Sequence, residues 1–410
     1  MRRLLLLNGL IFLEVLFFTV LAPLLPDLAA RLGLSDAELG VLSGAYAWGS
    51  VFAAFPAAFL AQRFGPRPVA AAGLIALSIA SLLLGWGEHV ALLDAARFAQ
   101  GISGAVVWGA AMTWLLATAP TEQRGAMIGT SVAAGAAGGI VGPIMGATAS
   151  VLGTRWVFTA SLGLTLPLLL AVLLARGTPR LEHQPVRAVL ATLASRQIGA
   201  AAAFLSVPAL AFGALLVLVP LKIHQLGGSA SLIAGVFVGA AIIEMAGAPL
   251  SGRLSDSVGR QPLYVLGLLL YAISVVVMAA AGSLGLLTAA FLGGSVGCGL
   301  FITPALASLS DVAERSHLAQ SHAMALSNTT FVLGLALGAV VGGVVASVGG
   351  NDTAYLVMAA LVFVVAGWGS RASLPRPLIP TQRPYPLSRR VGRRRHAKAR
   401  PAPSDRPMAR

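Results

Sequence analysis

Twelve apolar runs, each about 20 residues long, follow one another between residues 4 and 370 with mostly short connections. At a rise of ~1.5 Å per residue such a run crosses the ~30 Å of hydrocarbon in a bilayer, where every backbone polar group must be satisfied within the chain. The runs lie at 4–25, 38–60, 69–87, 91–118, 126–150, 156–175, 198–221, 232–251, 262–281, 284–309, 323–346 and 353–370. They predict an all-α polytopic membrane protein with twelve transmembrane helices and no soluble domain between them. Composition supports this, with 57% hydrophobic residues and 10% charged. The opening MRRLLLL has the basic start of a secretory signal, yet Glu14 interrupts the apolar stretch and the run continues past it for about ten residues, so a retained first span is expected.

Charge then gives an orientation. With a cytoplasmic N-terminus, 24 of the 28 Lys and Arg fall on the cytoplasmic side; Arg31, Arg155 and Lys222 fall outside and Arg97 falls within a span. That distribution follows the positive-inside tendency and predicts a multi-pass protein of the plasma (inner) membrane with both termini cytoplasmic. The net charge of +14 is mostly local: residues 371–410 hold eleven Arg and one Lys against a single acid, Asp405. This Pro- and Arg-rich tail is expected to be disordered and drawn to anionic inner-leaflet lipid, and the charge gives no reason to expect nucleic acid as a partner. A single cysteine, Cys298, excludes a disulfide framework, and six scattered histidines show no ligand spacing, so neither a metal nor a cofactor is expected. Without a nucleotide loop or a nucleophile–base pair, an enzyme is not expected either.

The chain also repeats itself. A shift of 194 positions superposes Pro26 on Pro220, Gly33 on Gly227, Ser35 on Ser229, Gly65 on Gly259 and Pro68 on Pro262. Six spans per half gives the repeats the same orientation, an arrangement found in one class of secondary transporter. The expected organisation is an N-terminal six-helix bundle (1–175), a basic cytoplasmic linker (176–197), a C-terminal six-helix bundle (198–372) and the tail (373–410).

Three motifs stand in this frame. The loop after the second span reads AFLAQRFGPR (58–67), with Gln62, Arg63, Gly65 and Arg67; its counterpart after the eighth reads GRLSDSVGRQ (252–261), with Gly252, Asp256, Gly259 and Arg260. A helix glycine permits close contact, a turn glycine reverses the chain, and an acid with bases can latch neighbouring helices. The fourth span carries RFAQGISGA (97–105), and Asp94, Arg97, Gly101, Gly104 and Trp108 share one helix face, a plausible cavity lining. The fifth span reads GTSVAAGAAGGIVGPIMGA (129–147), where Gly129, Gly138, Gly142, Pro143 and Gly146 make a small-residue stripe with a Gly-Pro bend. Asp94, near the outer end of its helix, also suits a dipole-favoured acid.

With these motifs the chain resembles the major facilitator superfamily from about residue 4 to residue 370. The loops are similar to its G-x-x-x-D-R-x-G-R-[RK] signature, though the first has Ala58, Gln62 and Pro66 where Gly, Asp and Arg stand and the second has Ser257 in an arginine place. Resemblance makes Arg97 a proton-relay arginine, and the stripe in span five resembles the motif of drug:proton antiporters, with Ala147 replacing its last glycine. The first span, LEVLFFTVLAPLLP, is similar to vesicular amine transporter-like members, which carry Asp where Glu14 stands.

Glu14 and Glu244 are the mid-membrane carboxylates that demand an explanation. A carboxylate in hydrocarbon must meet water, a cation or a proton. Phe237, Ala241, Glu244, Gly247, Ala248 and Ser251 lie near one face of span eight, which suits a cavity. The expected function is a proton-coupled antiporter, working as a monomer, that exports hydrophobic, cationic small molecules by alternating access, with Glu14, Arg97, Glu244, Asp94 and Trp108 as substrate- or proton-binding candidates. Alternatives are a sugar or other metabolite exporter and a non-transporting membrane sensor or scaffold.

Overall fold

The computed structural model describes residues 2–120, 123–175, 196–315 and 320–371. Its elements are α1 (Arg2–Thr19), a 3-10 turn (Ala22–Leu24), α2 (Leu25–Leu32), α3 (Asp36–Phe64), α4 (Pro66–Trp86), α5 (Val90–Thr118), α6 (Arg124–Leu152), α7 (Thr154–Ala160), α8 (Leu162–Leu174), α9 (Arg196–Gln225), α10 (Ala230–Val258), α11 (Arg260–Ala279), α12 (Leu284–Arg315), α13 (Gln320–Gly349) and α14 (Asn351–Arg371). No strand occurs among the described residues, and twelve spans are long and apolar enough to cross a membrane. The expected linker, apart from Arg196 and Gln197 at the start of α9, and the expected tail lie outside the described residues.

Two hydrophobic cores organise the helices. One gathers buried residues from Leu7 to Val172, joined by Val217, Leu221 and Ala339; the other runs from Ile198 to Ala366. These are the two six-helix bundles. Each repeat builds its second span in the same way. Ser35 and Ser229 are N-caps whose hydroxyls accept from Glu38 N and Leu232 N, the helices that follow are 29 residues each, and both end at glycines of positive φ, Gly65 at 88° and Gly259 at 98°. An L side chain is strained there, so the turn requires glycine.

The first span differs from the single expected run. α1 stops at Thr19 and the chain continues through the 3-10 turn into α2, which reaches Leu32. Pro23 offers no N–H to the Thr19 carbonyl and Pro26 none to the Ala22 carbonyl, so the ladder breaks in mid-span.

The bundles meet along two pairs of helices, α3 with α13 and α6 with α10. At the face opposite the N-terminus the first pair is in backbone contact: a Cβ on Gly40 would lie 2.5 Å from the Ala339 carbonyl oxygen, and one on Gly343 would lie 2.4 Å from that of Asp36. Deeper along this seam Ala47, Leu335 and Ala336 are buried together, flanked by Phe18, Trp48, Phe212 and Phe331. On the same face Lys222 is buried, its Nζ donating to Met278 O (2.9 Å), Ala279 O (2.7 Å) and Asp352 Oδ1 (2.8 Å), which ties α9, α11 and α14 together.

Candidate functional site

Glu14 lies half-buried in α1, and its Oε1 accepts a 2.9 Å hydrogen bond from the Tyr46 hydroxyl on α3. Tyr46 reaches it because α5 is small where the three helices meet. A Cβ on Gly101 would lie 1.8 Å from the Tyr46 carbonyl oxygen, and one on Gly104 would lie 2.3 Å from its hydroxyl and 3.2 Å from Glu14 Cγ. These two glycines therefore bring Tyr46 onto Glu14.

Arg97, one turn away on the same helix, is 1% exposed, with its guanidinium 4.8 Å from the Tyr46 ring centroid. Nη1 donates to Phe17 O (2.9 Å) and Gln100 Oε1 (2.9 Å), and Nη2 donates to Phe18 O (3.2 Å). Those carbonyls belong to the last turn of α1, where the break removes the amides that would otherwise follow. A cation at that end also complements the helix dipole. Gln100 is held in turn by Ser81, Nε2 to Oγ at 2.9 Å. Arg97 thus spends its charge on α1, and Tyr46 stands between it and Glu14, hydroxyl to the acid and ring to the base.

The stripe in span five packs on this same α1 and on the break that follows it. Cβ atoms on Gly138, Gly142 and Gly146 would lie 2.2 Å from Phe12 O, 2.1 Å from Thr19 Oγ1 and 2.2 Å from Val20 O, and Pro143 lies inside α6 between the last two. Gly129 has nothing within 4 Å, so close packing does not extend to it.

In the loop motifs the contacts fall two positions beyond the turn glycines. Arg67 donates from Nε to Val172 O (3.2 Å) and from Nη2 to Leu173 O, capping the end of α8. Gln261, at the equivalent repeat position, donates from Nε2 to Gly369 O (3.0 Å) and Ser370 O (3.3 Å) at the end of α14. Arg63 is exposed over the Phe64 ring, Gln62 makes no hydrogen bond among the described residues, and Gly252 faces open space rather than a close helix contact. The Asp256 side chain lies outside the described residues, and Arg260 begins α11.

The model of the Major Facilitator Superfamily matches residues 7–243 and 200–402. The chain belongs to this superfamily. Among named relatives, the chloramphenicol resistance protein of Streptomyces lividans is 31% identical over 324 residues, covering 75% of this chain and 81% of its own. The MFS-type transporter ppzB of Metarhizium majus (strain ARSEF 297) is 32% identical over 142 residues, 33% of this chain, and the chain spans only 31% of that relative's length. The crystal structure of a bacterial homolog of the human lysosomal transporter Spinster, inward-facing and occupied, has the same fold at a TM-score of 0.73 and 17% identity, covering 92% of this chain and 98% of that one.

The remaining candidates of this superfamily member share no hydrogen bond with Glu14 among the described residues. Asp94 is half-buried, with Oδ1 enclosed and unpartnered, and it shares none of the Arg97 hydrogen bonds despite lying one turn away. Trp108 packs at the α5–α6 seam, where a Cβ on Gly135 would lie 3.9 Å from its ring. Glu244 belongs to the other bundle, with the Cys298 thiol in hydrogen-bond reach. Sequence reasoning missed Tyr46 and Gln100. The signal for Gln100 was its place inside RFAQGISGA, and for Tyr46 a lone hydroxyl among the small residues of GAYAWGS.

Proposed function

We propose that this transporter is a proton-coupled antiporter that exports hydrophobic, cationic small molecules across the plasma (inner) membrane as a monomer. The observation that carries this reading is the division of labour around Tyr46. Glu14 receives one neutral hydroxyl, while the buried cation beside it, Arg97, is committed to the carbonyls of Phe17 and Phe18. The acid is therefore left to a mobile positive charge, and a proton and a cationic substrate compete for it. Because both cannot occupy one carboxylate, an inward proton gradient drives the cation outward. Arg97 holds the end of the broken helix and sets the field at Tyr46, and Gln100 fixes Arg97. Asp94 and Trp108 line the same half of the path.

The positive-inside distribution of the sequence supports a cytoplasmic position for both termini. The sealed seam of α3 and α13 then faces outward, and substrate loads from the cytoplasm; release requires those helices to part. The antiporter-like stripe of α6 supports the export direction, as does the resistance named for the Streptomyces relative. The test uses purified protein in liposomes, with ethidium as a cationic probe and chloramphenicol as a neutral one, under an imposed proton gradient. Ethidium movement should acidify the compartment that ethidium leaves, and Glu14→Gln should lower coupled movement on the order of tenfold or more while the melting temperature holds. Unchanged ethidium movement in Glu14→Gln overturns the reading; loss of chloramphenicol movement alone overturns the cationic preference.

A further inference from the structure

The second bundle contains a polar cluster of its own. Glu244 on α10 lies half-buried among apolar helices, and the Cys298 thiol on α12, fully buried, is in hydrogen-bond reach of its carboxylate. Tyr271 on α11 is 2% exposed; its hydroxyl is enclosed with no hydrogen-bond partner and lies within electrostatic reach of both. Close contact of α11 with α12 places it there: a Cβ on Gly297 would lie 2.7 Å from Tyr271 N, and one on Gly267 would lie 2.8 Å from Gly297 O.

An enclosed, unpartnered hydroxyl costs about 1–3 kcal/mol unless some state of the protein satisfies it. Thiol, hydroxyl and carboxyl together supply one acceptor that changes charge and two donors that can follow it. With the carboxylate ionised, the S–H can donate to it, and the Tyr271 O–H, unpartnered as the site stands, gains an acceptor by shifting toward it. With the carboxyl protonated, its own O–H donates to Cys298 Sγ or Tyr271 Oη. The donor set does not suit a metal. A lone thiol is a poor ligand for Na⁺, and no group of three His, Cys, Asp or Glu gathers among the described residues.

Other charges on the neighbouring elements are engaged or distant. Tyr264 on α11 donates to Phe204 O (2.6 Å), Lys222 on α9 is bound at the opposite end of the bundle, and α6 carries no ionisable residue after Arg124. His224 ends α9 on that same face, while Arg253, Asp256 and Arg260 sit at the far end of α10 or the start of α11, more than two turns from Glu244, and Asp311, Glu314 and Arg315 end α12 more than three turns beyond Cys298.

We infer that Glu244, Cys298 and Tyr271 form a second proton-binding site, separate from Glu14 and built from the C-terminal bundle alone. The role in transport rests on the antiport reading, under which each bundle carries one exchangeable proton per cycle.

Because Cys298 is the sole cysteine, its S–H stretching band reports this site alone. Infrared spectra of the purified full chain, taken from about pH 5 to about pH 9, should show the S–H band shifting together with a protonated-carboxyl band. Glu244→Gln should abolish the shift, and Glu14→Gln should leave it. An S–H band that ignores pH in the wild type, or a shift that survives Glu244→Gln, overturns the site, whether or not the protein is an antiporter. For transport, the proton-to-ethidium ratio from reversal potentials should fall from about two in the wild type to about one in Glu244→Gln. A wild-type proton flux with the same ratio in both forms overturns the stoichiometric role.

Discussion

The two bundles share a scaffold and differ in their chemistry. Helices α3 and α10 superpose residue for residue under the 194-position shift, with equivalent caps, lengths and turn glycines, and α5 and α12 begin at equivalent positions. Yet the partners of Glu14, Tyr46 and Arg97 in the second half are Pro208, Ala240 and Phe291, and those of Glu244, Tyr271 and Cys298 in the first half are Ser50, Leu77 and Gly104. Position 104/298 shows the divergence best. A glycine in the first bundle clears room for Tyr46 to reach an acid on α1, while a cysteine in the second reaches an acid on α10 itself. The caps and turn glycines stand at matching positions in both halves because each serves only its own helix end. Polar clusters were free to move, since the helices that surround them offer several places to bury one acid.

The largest break in this comparison should come from the glycine that seats Tyr46 on Glu14. Gly101→Ala sets a methyl 1.8 Å from the Tyr46 carbonyl, so α3 and α5 must separate and the Glu14–Tyr46 bond is lost. The expected cost is about 1–3 kcal/mol, read as a lower melting temperature in detergent, together with loss of ethidium efflux. The equivalent position in the second half is Ser295, whose side chain already bonds within its own helix to Phe291 O (3.2 Å), and Ser295→Ala should change the melting temperature little. Equal effects would show that α5 and α12 are packed alike after all.

The tyrosines sharpen the contrast at a smaller scale. Tyr46→Phe keeps the ring under Arg97 but removes the partnered hydroxyl, and should destabilise by about 1 kcal/mol and slow proton-coupled efflux. Tyr271→Phe removes a hydroxyl that has no partner, so stability should hold or rise. Thermal unfolding of both variants decides this, and a larger loss in Tyr271→Phe would reverse the assignment.

How much of this was legible in the sequence depends on the distance between the residues concerned. The twelve spans and the repeat were readable because each is a pattern of hydropathy or turn chemistry along the chain. The burial of Glu14 and Arg97 was readable for the same reason, since a charge in an apolar run announces itself. Their separation by Tyr46 was not, because it depends on how α3 crosses α5, and the helix-face argument that grouped Asp94 with Arg97 knew one helix only. The break in span one was foreshadowed by Pro23 and Pro26 but hidden by unbroken hydropathy. Gly129 and Gly252 fit their motifs and still face open space, since a motif position carries no guarantee that a neighbour is present.

The loop motifs yield a finer test. Arg67 and Gln261 cap equivalent helices, α8 and α14, with a charged and a neutral donor respectively. Arg67→Gln copies the second half into the first and should retain most activity and stability, whereas Arg67→Ala should cost about 1 kcal/mol through the lost cap and dipole contact. If Arg67→Gln is as damaging as Arg67→Ala, the charge itself matters and the halves are not interchangeable here.

The smallest expected difference lies at the caps. Ser35 heads a full capping box: its hydroxyl accepts from Glu38 N (3.4 Å), and Glu38 Oε2 accepts from Ser35 N (2.8 Å). Ser229 accepts from Leu232 N (3.2 Å), but the third residue of its helix is leucine, so the reciprocal bond does not exist. Replacing Ser35 by Ala removes one hydroxyl and leaves the Glu38 carboxylate bonded to the backbone, which retains part of the cap. Replacing Ser229 leaves that helix end with no side-chain acceptor at all. Ser229→Ala should therefore cost the larger share of the usual ~1 kcal/mol, although Ser35 makes more bonds, and the double change Ser35→Ala with Glu38→Ala should match it. Hydrogen exchange at the first-turn amides of α3 and α10 measures both. Faster exchange in α3 than in α10 after the single serine changes would mean that the box acts through its hydroxyl alone.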